Sequence, residues 1–357
     1  MMARTKRANP GETTAGVKSR RRGTGKVRLT DVAKLAGVAP ITVSRVVNTP
    51  DRVQPETLQR VREAIERTGY VPNMLAGGLA SSRTRLVAAL VPSIASPVFQ
   101  ETIGALADTL AEAGYQLMLG QTGYANPKEE ELLEAIIGRR PDGIVLAGLT
   151  RSPNARRRLV AAGIPVVETW DLTRTPIDML VGFSHDRIGA GVAEYLHGVG
   201  RRRLAVVTAS DERARRRANG MIEAAARLGM GNVLDANPPI FVAPPPGTVV
   251  KGRRGLSELL ARHPDIDGIF CSSDMLALGV LTEARARGIG IPEQIAVVGY
   301  GDLDFAADIL PSLTSVRVNA TAIGQLAARN IIERVQGRSV AQRVTDVGFS
   351  IVKRETA

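Results

Sequence analysis

One cysteine, three histidines and one tryptophan are spread over 357 residues, and aromatic residues make up only 3% of the chain. Cys271 alone cannot build an intrachain disulfide framework and fits a reducing compartment. So few histidines and cysteines leave no cluster with metal-ligand spacing, and no cofactor is expected. No apolar run reaches the roughly eighteen residues of a transmembrane helix. No apolar stretch follows the basic N-terminus either, so a secretory signal is not expected and the chain reads as cytoplasmic, without a membrane partner. A G-x-S-x-G elbow, a Walker A loop and a G-x-G-x-x-G after a strand are all missing. Carboxylates are plentiful but unpaired in any readable way, so an enzyme is not the first reading. No leucine heptads follow Val340, which argues against a C-terminal coiled coil.

What is present is basic charge in one place. Residues 1–80 hold 15 Lys and Arg against 6 Asp and Glu, a net +9 of the whole chain's +12. Charge concentrated in a short segment points to a polyanionic partner, because each neutralised phosphate releases counterions. Residues 1–26, "MMARTKRANPGETTAGVKSRRRGTGK", read as a disordered basic tail with loose phosphate attraction.

From Val27 the pattern becomes helical, and residues 27–71 read as one small domain. "LTDVAKLAG" puts Leu29, Val32, Ala33 and Ala36 on one face, with Thr30 near the start and Gly37 as a stop. After the short turn "VAP", Pro40 suits a first helical position, where its missing N–H costs nothing. In "ITVSRVVN", Val43, Val46 and Val47 fall inward while Ile41, Ser44, Arg45 and Asn48 fall on the other side. "PETLQRVREAIERTG" is a third amphipathic helix. Three short helices with a tight turn between the first two match a helix-turn-helix. Its second helix would present Pro40, Ile41, Ser44 and Arg45 to a major groove of double-stranded DNA. There Arg45 can make bidentate bonds to guanine and Ile41 can pack on a thymine methyl. Thr42, Asn48 and Thr57 would bond phosphates, which sets register without reading sequence.

Residues 72–84 follow as "PNMLAGGLASSRT". Pro72 and Asn73 can open a helix, but Gly77 and Gly78 each cost about 1 kcal/mol relative to alanine. The segment reads equally as a flexible linker or as a helix that forms only against DNA, with Leu79 as an apolar wedge in the minor groove.

Residues 85–357 have the grammar of an α/β protein. "LVAALVP", "YQLMLGQT", "GIVLAG", "IPVVET" and "LAVVTA" are short apolar strands separated by helical stretches. One of those helices is expected to be capped by Asn126 and to open on Pro127. Roughly ten strand–helix units are too many for one small sheet, so two Rossmann-like parallel sheets are expected, with a ligand at the carboxyl ends of the strands. Those ends carry Ser93, Ser96 and Phe99, then Glu168, Trp170 and Asp171, then Phe183 and His185. Further on come Asp211, Glu212, Arg213, Arg215 and Arg217, then Ser273 and Asp274, and finally Asp302. Singly, Ser273 and Asp274 read as helix caps, His185 as a loop histidine and the arginines as a solvated face. Together, carboxylates, arginines and aromatics at one topological position suit a polyol, and the arginines favour an anionic one.

"LTDVAKLAGVAPITVSRVVN", "GYVPNMLA", "VVGYGD" and "PSLTSVR" together resemble the lactose/galactose repressor (LacI/GalR) family across residues 28–352. "GYQLMLGQTGY", "AGIPVVETWD", "VGFSHD", "SDER", "GIFCSSDMLALG" and "VGFSI" are similar, more narrowly, to gluconate-utilisation repressors. The resemblance implies an all-α helix-turn-helix domain joined to a periplasmic-binding-protein-like core of two Rossmann-like subdomains. It implies base contacts from Pro40, Ile41 and Arg45 and phosphate contacts from Thr30, Thr42, Ser44, Asn48 and Thr57. Residues 73–81 would form a hinge helix with Leu79 intercalating. Effector contacts would come from Ser96, Phe99, Trp170, Arg217, Ser273 and Gly301, with Glu168, Asp171, Asp211, Arg213 and Asp274 close by. Three departures stand out: Pro40 where relatives often have a polar residue, the Gly77–Gly78 pair in the hinge helix, and Gly301 in place of the carboxylate of "GYDD". The function implied is a homodimeric repressor on a pseudo-palindromic operator, controlled by a sugar or sugar acid such as gluconate or 6-phosphogluconate. The rivals are a same-family regulator of another sugar, a transport-type sugar-binding protein without DNA function, and a cytoplasmic sugar-acid enzyme.

Overall fold

The computed structural model describes residues 27–71, 83–124, 129–150, 152–230 and 238–357. The basic tail, Asn73, Leu79 and the cap residues Asn126 and Pro127 lie outside the described residues. The chain divides into two compact units, one ending at Ser82 and the other running from Arg83 to Ala357.

In the first unit, α1 (Leu29–Ala36), α2 (Pro40–Asn48) and α3 (Pro55–Thr68) surround a small apolar core. Val32, Ala33 and Ala36 meet Val43 and Val46 there, with Val61 and Ala64 of α3 beneath them. Val47, expected inward with its neighbours, is only half-buried, because nine residues at 3.6 per turn leave it on the flank of the buried stripe. Asp31 accepts a hydrogen bond from the Arg28 amide and so closes the first turn of α1, three residues after the chain enters it.

The second unit contains twelve strands among the described residues, in two six-stranded sheets. The first takes β1 (Leu86–Val91), β2 (Gln116–Gln121), β3 (Gly143–Ala147), β4 (Val166–Thr169), β5 (Met179–Gly182) and β11 (Val344–Asp346). The second takes β6 (Leu204–Ala209), β7 (Ile240–Ala243), β8 (Gly268–Cys271), β9 (Ala296–Tyr300), β10 (Thr314–Arg317) and β12 (Ser350–Val352). Their orders are β11-β5-β4-β3-β1-β2 and β12-β10-β9-β8-β6-β7, parallel throughout except for the antiparallel pair β10–β12. In each half the order reverses beside the first strand, β1 or β6, which is where open α/β sheets bind ligands.

Apolar residues run unbroken along the inner strands because both sheet faces are covered by helices, and successive side chains enter opposite cores. In β1, Val87 and Ala89 face one core while Ala88 and Leu90 face another. The halves are joined by three passages of the chain: after β5, after β10 and between β11 and β12. The helix Ala320–Val335, reached from β10, packs back along Gln100–Glu112 of the first half. Close packing near the first passage needs Gly182, since a Cβ there would stand 2.0 Å from the carbonyl oxygen of Asp171.

Candidate functional site

In the first unit the buried valines of α2 leave its other side in solvent. Ile41 is 59% exposed, and Pro40, Arg45 and Asn48 are exposed beside it. The Arg45 guanidinium has no hydrogen-bond or ion-pair partner among the described residues. Asn48 donates through Nδ2 to the Ser44 carbonyl at 2.9 Å and to Ser44 Oγ at 3.3 Å, which orders two polar groups one turn apart. Thr30 is exposed, Thr42 is half-buried, and Thr57, at the start of α3, accepts from Arg60 at 3.5 Å. An exposed isoleucine between an unpaired arginine and short hydroxyl side chains is a surface suited to a groove of DNA.

In the second unit the strand ends open onto a cavity of about 340 Å³ between the sheets. Polar caps start the surrounding helices. Ser184, Asp211, Thr248 and Ser273 each accept a hydrogen bond from the backbone amide three residues on, so several positive helix ends face this region. Arg213 and Arg217 lie one turn apart on the helix Glu212–Arg227 and both line the cavity. Arg213 stacks over Phe99 with its guanidinium carbon 5.3 Å from the ring centre, and donates to the Ala147 carbonyl. Arg217, 6% exposed, lies over Tyr300 and donates through Nη2 to the Ser272 carbonyl at 3.0 Å. Its Nη1 reaches His185 Nδ1 at 3.0 Å, and its buried Nε has no hydrogen-bond partner. Neither arginine has a carboxylate within 4 Å among the described residues. Their neighbour Arg216 is paired with both Asp171 and Asp186.

Trp170 forms the opposite wall. Its ring makes edge contacts with Phe99 and Phe183 at 5.1 and 5.7 Å, and its buried Nε1 lacks an acceptor. The backbone there adopts φ 63°, a left-handed conformation that costs a bulky residue about 1–3 kcal/mol and recurs at binding sites.

The other expected effector residues divide sharply. Ser96, Phe99, Asp211 and Ser273 line the same cavity as Trp170 and the arginines. Gly301 lines a neighbouring recess of about 350 Å³, together with Glu101, Asp302 and Asp304. Asp171 faces a further recess next to Arg213, but its carboxylate is held by Arg216 and its own loop amide at Leu172. Glu168 is fully buried and accepts from the Ile177 amide, and it lines none of these spaces. Asp274 also turns away. It accepts from Ser315 Oγ at 2.6 Å and from the Leu303 amide at 2.8 Å, which ties down the loop after β9. Burial raises its pKa from the ordinary aspartate value to about 6. Asp302, singled out at the end of "GYGD", is paired with Arg317 and Arg354.

Residues 28–73 match the family model of bacterial regulatory proteins, lacI family, and residues 193–357 match the periplasmic binding protein-like domain. The HTH-type transcriptional regulator GntR of Pseudomonas aeruginosa is 39% identical over 337 residues, which is 94% of this chain and 97% of that protein. The chain belongs to the LacI family. It is a DNA-binding transcriptional regulator and not an enzyme. A solved LacI family regulator from Silicibacter pomeroyi superposes with a TM-score of 0.86 at 34% identity, over 92% of this chain and 99% of that one. The Lac repressor dimer bound to operator shares the fold, with a TM-score of 0.78 at 23% identity over 93% of this chain and 99% of its own.

Two further features complete the cavity. His185, read from the sequence as a loop histidine, is the first residue of a helix and is 1% exposed. Its only signal in the sequence is the serine cap before it, and nothing local reports the distant Arg217. Pro246, Gly247 and Thr248 also line the cavity, on a loop whose carbonyls at Pro244 and Pro246 are held by the Lys251 ammonium at 2.8 and 2.9 Å.

Proposed function

We propose that this LacI-family regulator is a cytoplasmic homodimeric repressor that binds a pseudo-palindromic operator and answers to an unphosphorylated or phosphorylated sugar acid, with gluconate the leading candidate. The observation that carries the effector class is the pair Arg213 and Arg217. Both are stacked on aromatic faces at the cavity and both lack a carboxylate partner, so their charge is available to an anion. Ser93, Ser96, Ser273 and Thr248 around the same space suit the hydroxyls of a polyol chain. The similarity of "VVETWD", "VGFSHD" and "SDER" to gluconate-utilisation repressors supports the same choice, as does the GntR relative.

For DNA, Ile41 and Arg45 read bases while Thr30, Thr42, Ser44, Asn48 and Thr57 hold phosphates, and Pro40 starts the helix at the groove. The effector sits between the two sheets at Ser96, Phe99, Trp170, Arg213, Arg217 and Ser273. A ligand bridging the two halves changes their relative setting, and that change is coupled to DNA affinity.

The test is a thermal-shift series with gluconate, 6-phosphogluconate, neutral sugars and purines, followed by operator-release assays. Ligand at one hundred times its dissociation constant adds about 2.7 kcal/mol of stability. A response to a sugar acid supports the reading. A response to a neutral sugar or purine alone keeps the regulator and discards the acid.

A further inference from the structure

We propose that His185 is a positioning residue that sets the charge selectivity of the cavity: a neutral acceptor that holds Arg217 in place without cancelling its charge. The inference rests on the anionic-effector reading above and adds a residue to it. Arginine has no acceptor atom, so the 3.0 Å contact between Arg217 Nη1 and His185 Nδ1 requires Nδ1 to be unprotonated. The other ring nitrogen, Nε2, lies 2.9 Å from the carbonyl oxygen of Trp170 and must therefore carry the hydrogen. The imidazole is thus a single neutral tautomer, wedged between the first half of the unit at Trp170 and the second half at Arg217. Phe183 closes over it with an edge contact at 4.9 Å. Burial first, and then the charges of Arg217, Arg213 and Arg216, hold it well below the ordinary histidine pKa.

The guanidinium of Arg217 is fixed from three sides by His185 Nδ1, the Ser272 carbonyl and the Tyr300 ring face. None of these carries a formal charge. A buried arginine is ordinarily held by a carboxylate, which would fix this side chain equally well but would neutralise it. The protein does that at Arg216, which sits on Asp171 and Asp186. At Arg217 the imidazole leaves the cation without a directly bonded carboxylate, with Asp211 and Asp171 acting on it only at longer range, and leaves the Nε hydrogen free of a protein acceptor.

Asparagine and aspartate at position 185 separate position from charge, since each puts an oxygen where Nδ1 stands and only one is anionic. In the full-length chain, His185→Asn is expected to bind gluconate within about threefold of wild type, and His185→Asp at least thirtyfold more weakly. Equal losses in the two variants would make the residue merely structural and overturn the proposal. A second measurement needs no variant to bind ligand. Nitrogen-15 spectra of the three histidines, with His185 assigned by its loss in His185→Asn, are expected to show an unprotonated Nδ1 that does not titrate near pH 6.5. A cationic or Nδ1-protonated ring overturns the assignment of His185 even where gluconate binds. Failure of wild type to bind either gluconate or 6-phosphogluconate overturns the effector reading, and with it the anion role of His185.

Discussion

The guanidinium carbon of Arg217 stands 3.9 Å from the centre of the Tyr300 ring, close enough for the planar cation to lie on the π-face. The two residues come from different parts of the second half, one from the helix Glu212–Arg227 and the other from the end of β9. A desolvated stack of this kind is worth about 2 kcal/mol, which offsets only part of the cost of burying a charge without a counter-ion. The remainder is a standing preference for an anion in the cavity. That preference is the basis of the first expectation.

Arg217→Ala should weaken a sugar-acid effector by roughly tenfold to a hundredfold, the range of one hydrogen bond to a charged group. Effector-free operator binding should be unchanged, because Arg217 lies in the unit that begins at Arg83. Calorimetry with gluconate and a gel-shift titration on the same preparation check both halves, and equal loss in both would remove Arg217 from the effector site.

Arg45→Ala should cost about 1–3 kcal/mol of specific operator affinity and leave gluconate binding intact. Non-specific binding to random duplex should fall far less. The comparison requires titrations at one stated salt concentration, since phosphate contacts dominate the salt dependence.

Val43→Ala tests the packing that presents Ile41 and Arg45. Val43 is fully buried at the centre of the first unit's core. Removing two buried methyl groups should destabilise that unit by about 2 kcal/mol, more if the cavity does not collapse. Urea melts followed by a probe in the first unit would show an earlier transition there, with the transition of the larger unit unmoved.

Asp274 predicts a pH dependence whose sign runs against the usual carboxylate. Its folded pKa, about 6, is above the ordinary aspartate value because burial penalises the charged form. Between about pH 4 and pH 6 the folded state therefore binds more protons than the unfolded one, and this group's contribution falls as pH rises. The stability of wild type relative to Asp274→Asn should decline across that window, by at most about 1.4 kcal/mol per pH unit, and level off above it. Denaturant midpoints of both proteins at pH 4, 5, 6 and 7 would reveal it, and a difference that grows with pH would contradict the assignment.

Much of this molecule was legible in one dimension because its signals are local. A proline at the first helical position, valines at helical spacing and a glycine stop placed α2 and its exposed face before any contact was known. Apolar runs at regular intervals announced two covered parallel sheets, and the comparisons bear out both the fold and the family. Ser96, Phe99, Trp170 and Arg217 were recognisable as polar or aromatic residues at strand ends, where α/β sheets bind ligands.

Direction and partnership were not legible, because they depend on residues far apart in the chain. Asp274 begins a helix beside the cavity, yet the hydroxyl of Ser315, forty-one residues on, turns its carboxylate behind the wall. Asp171 looked available until Arg216 took its oxygen, and Asp302 until Arg317 and Arg354 did. His185 gave no local sign of meeting Arg217, thirty-two residues away. Which faces are apolar and where strands end is written along the chain, since periodicity and turn chemistry act over a few residues. Which charges are neutralised inside the protein and which remain for a ligand depends on the folded arrangement, because Coulomb and hydrogen-bond partners are chosen by distance in space.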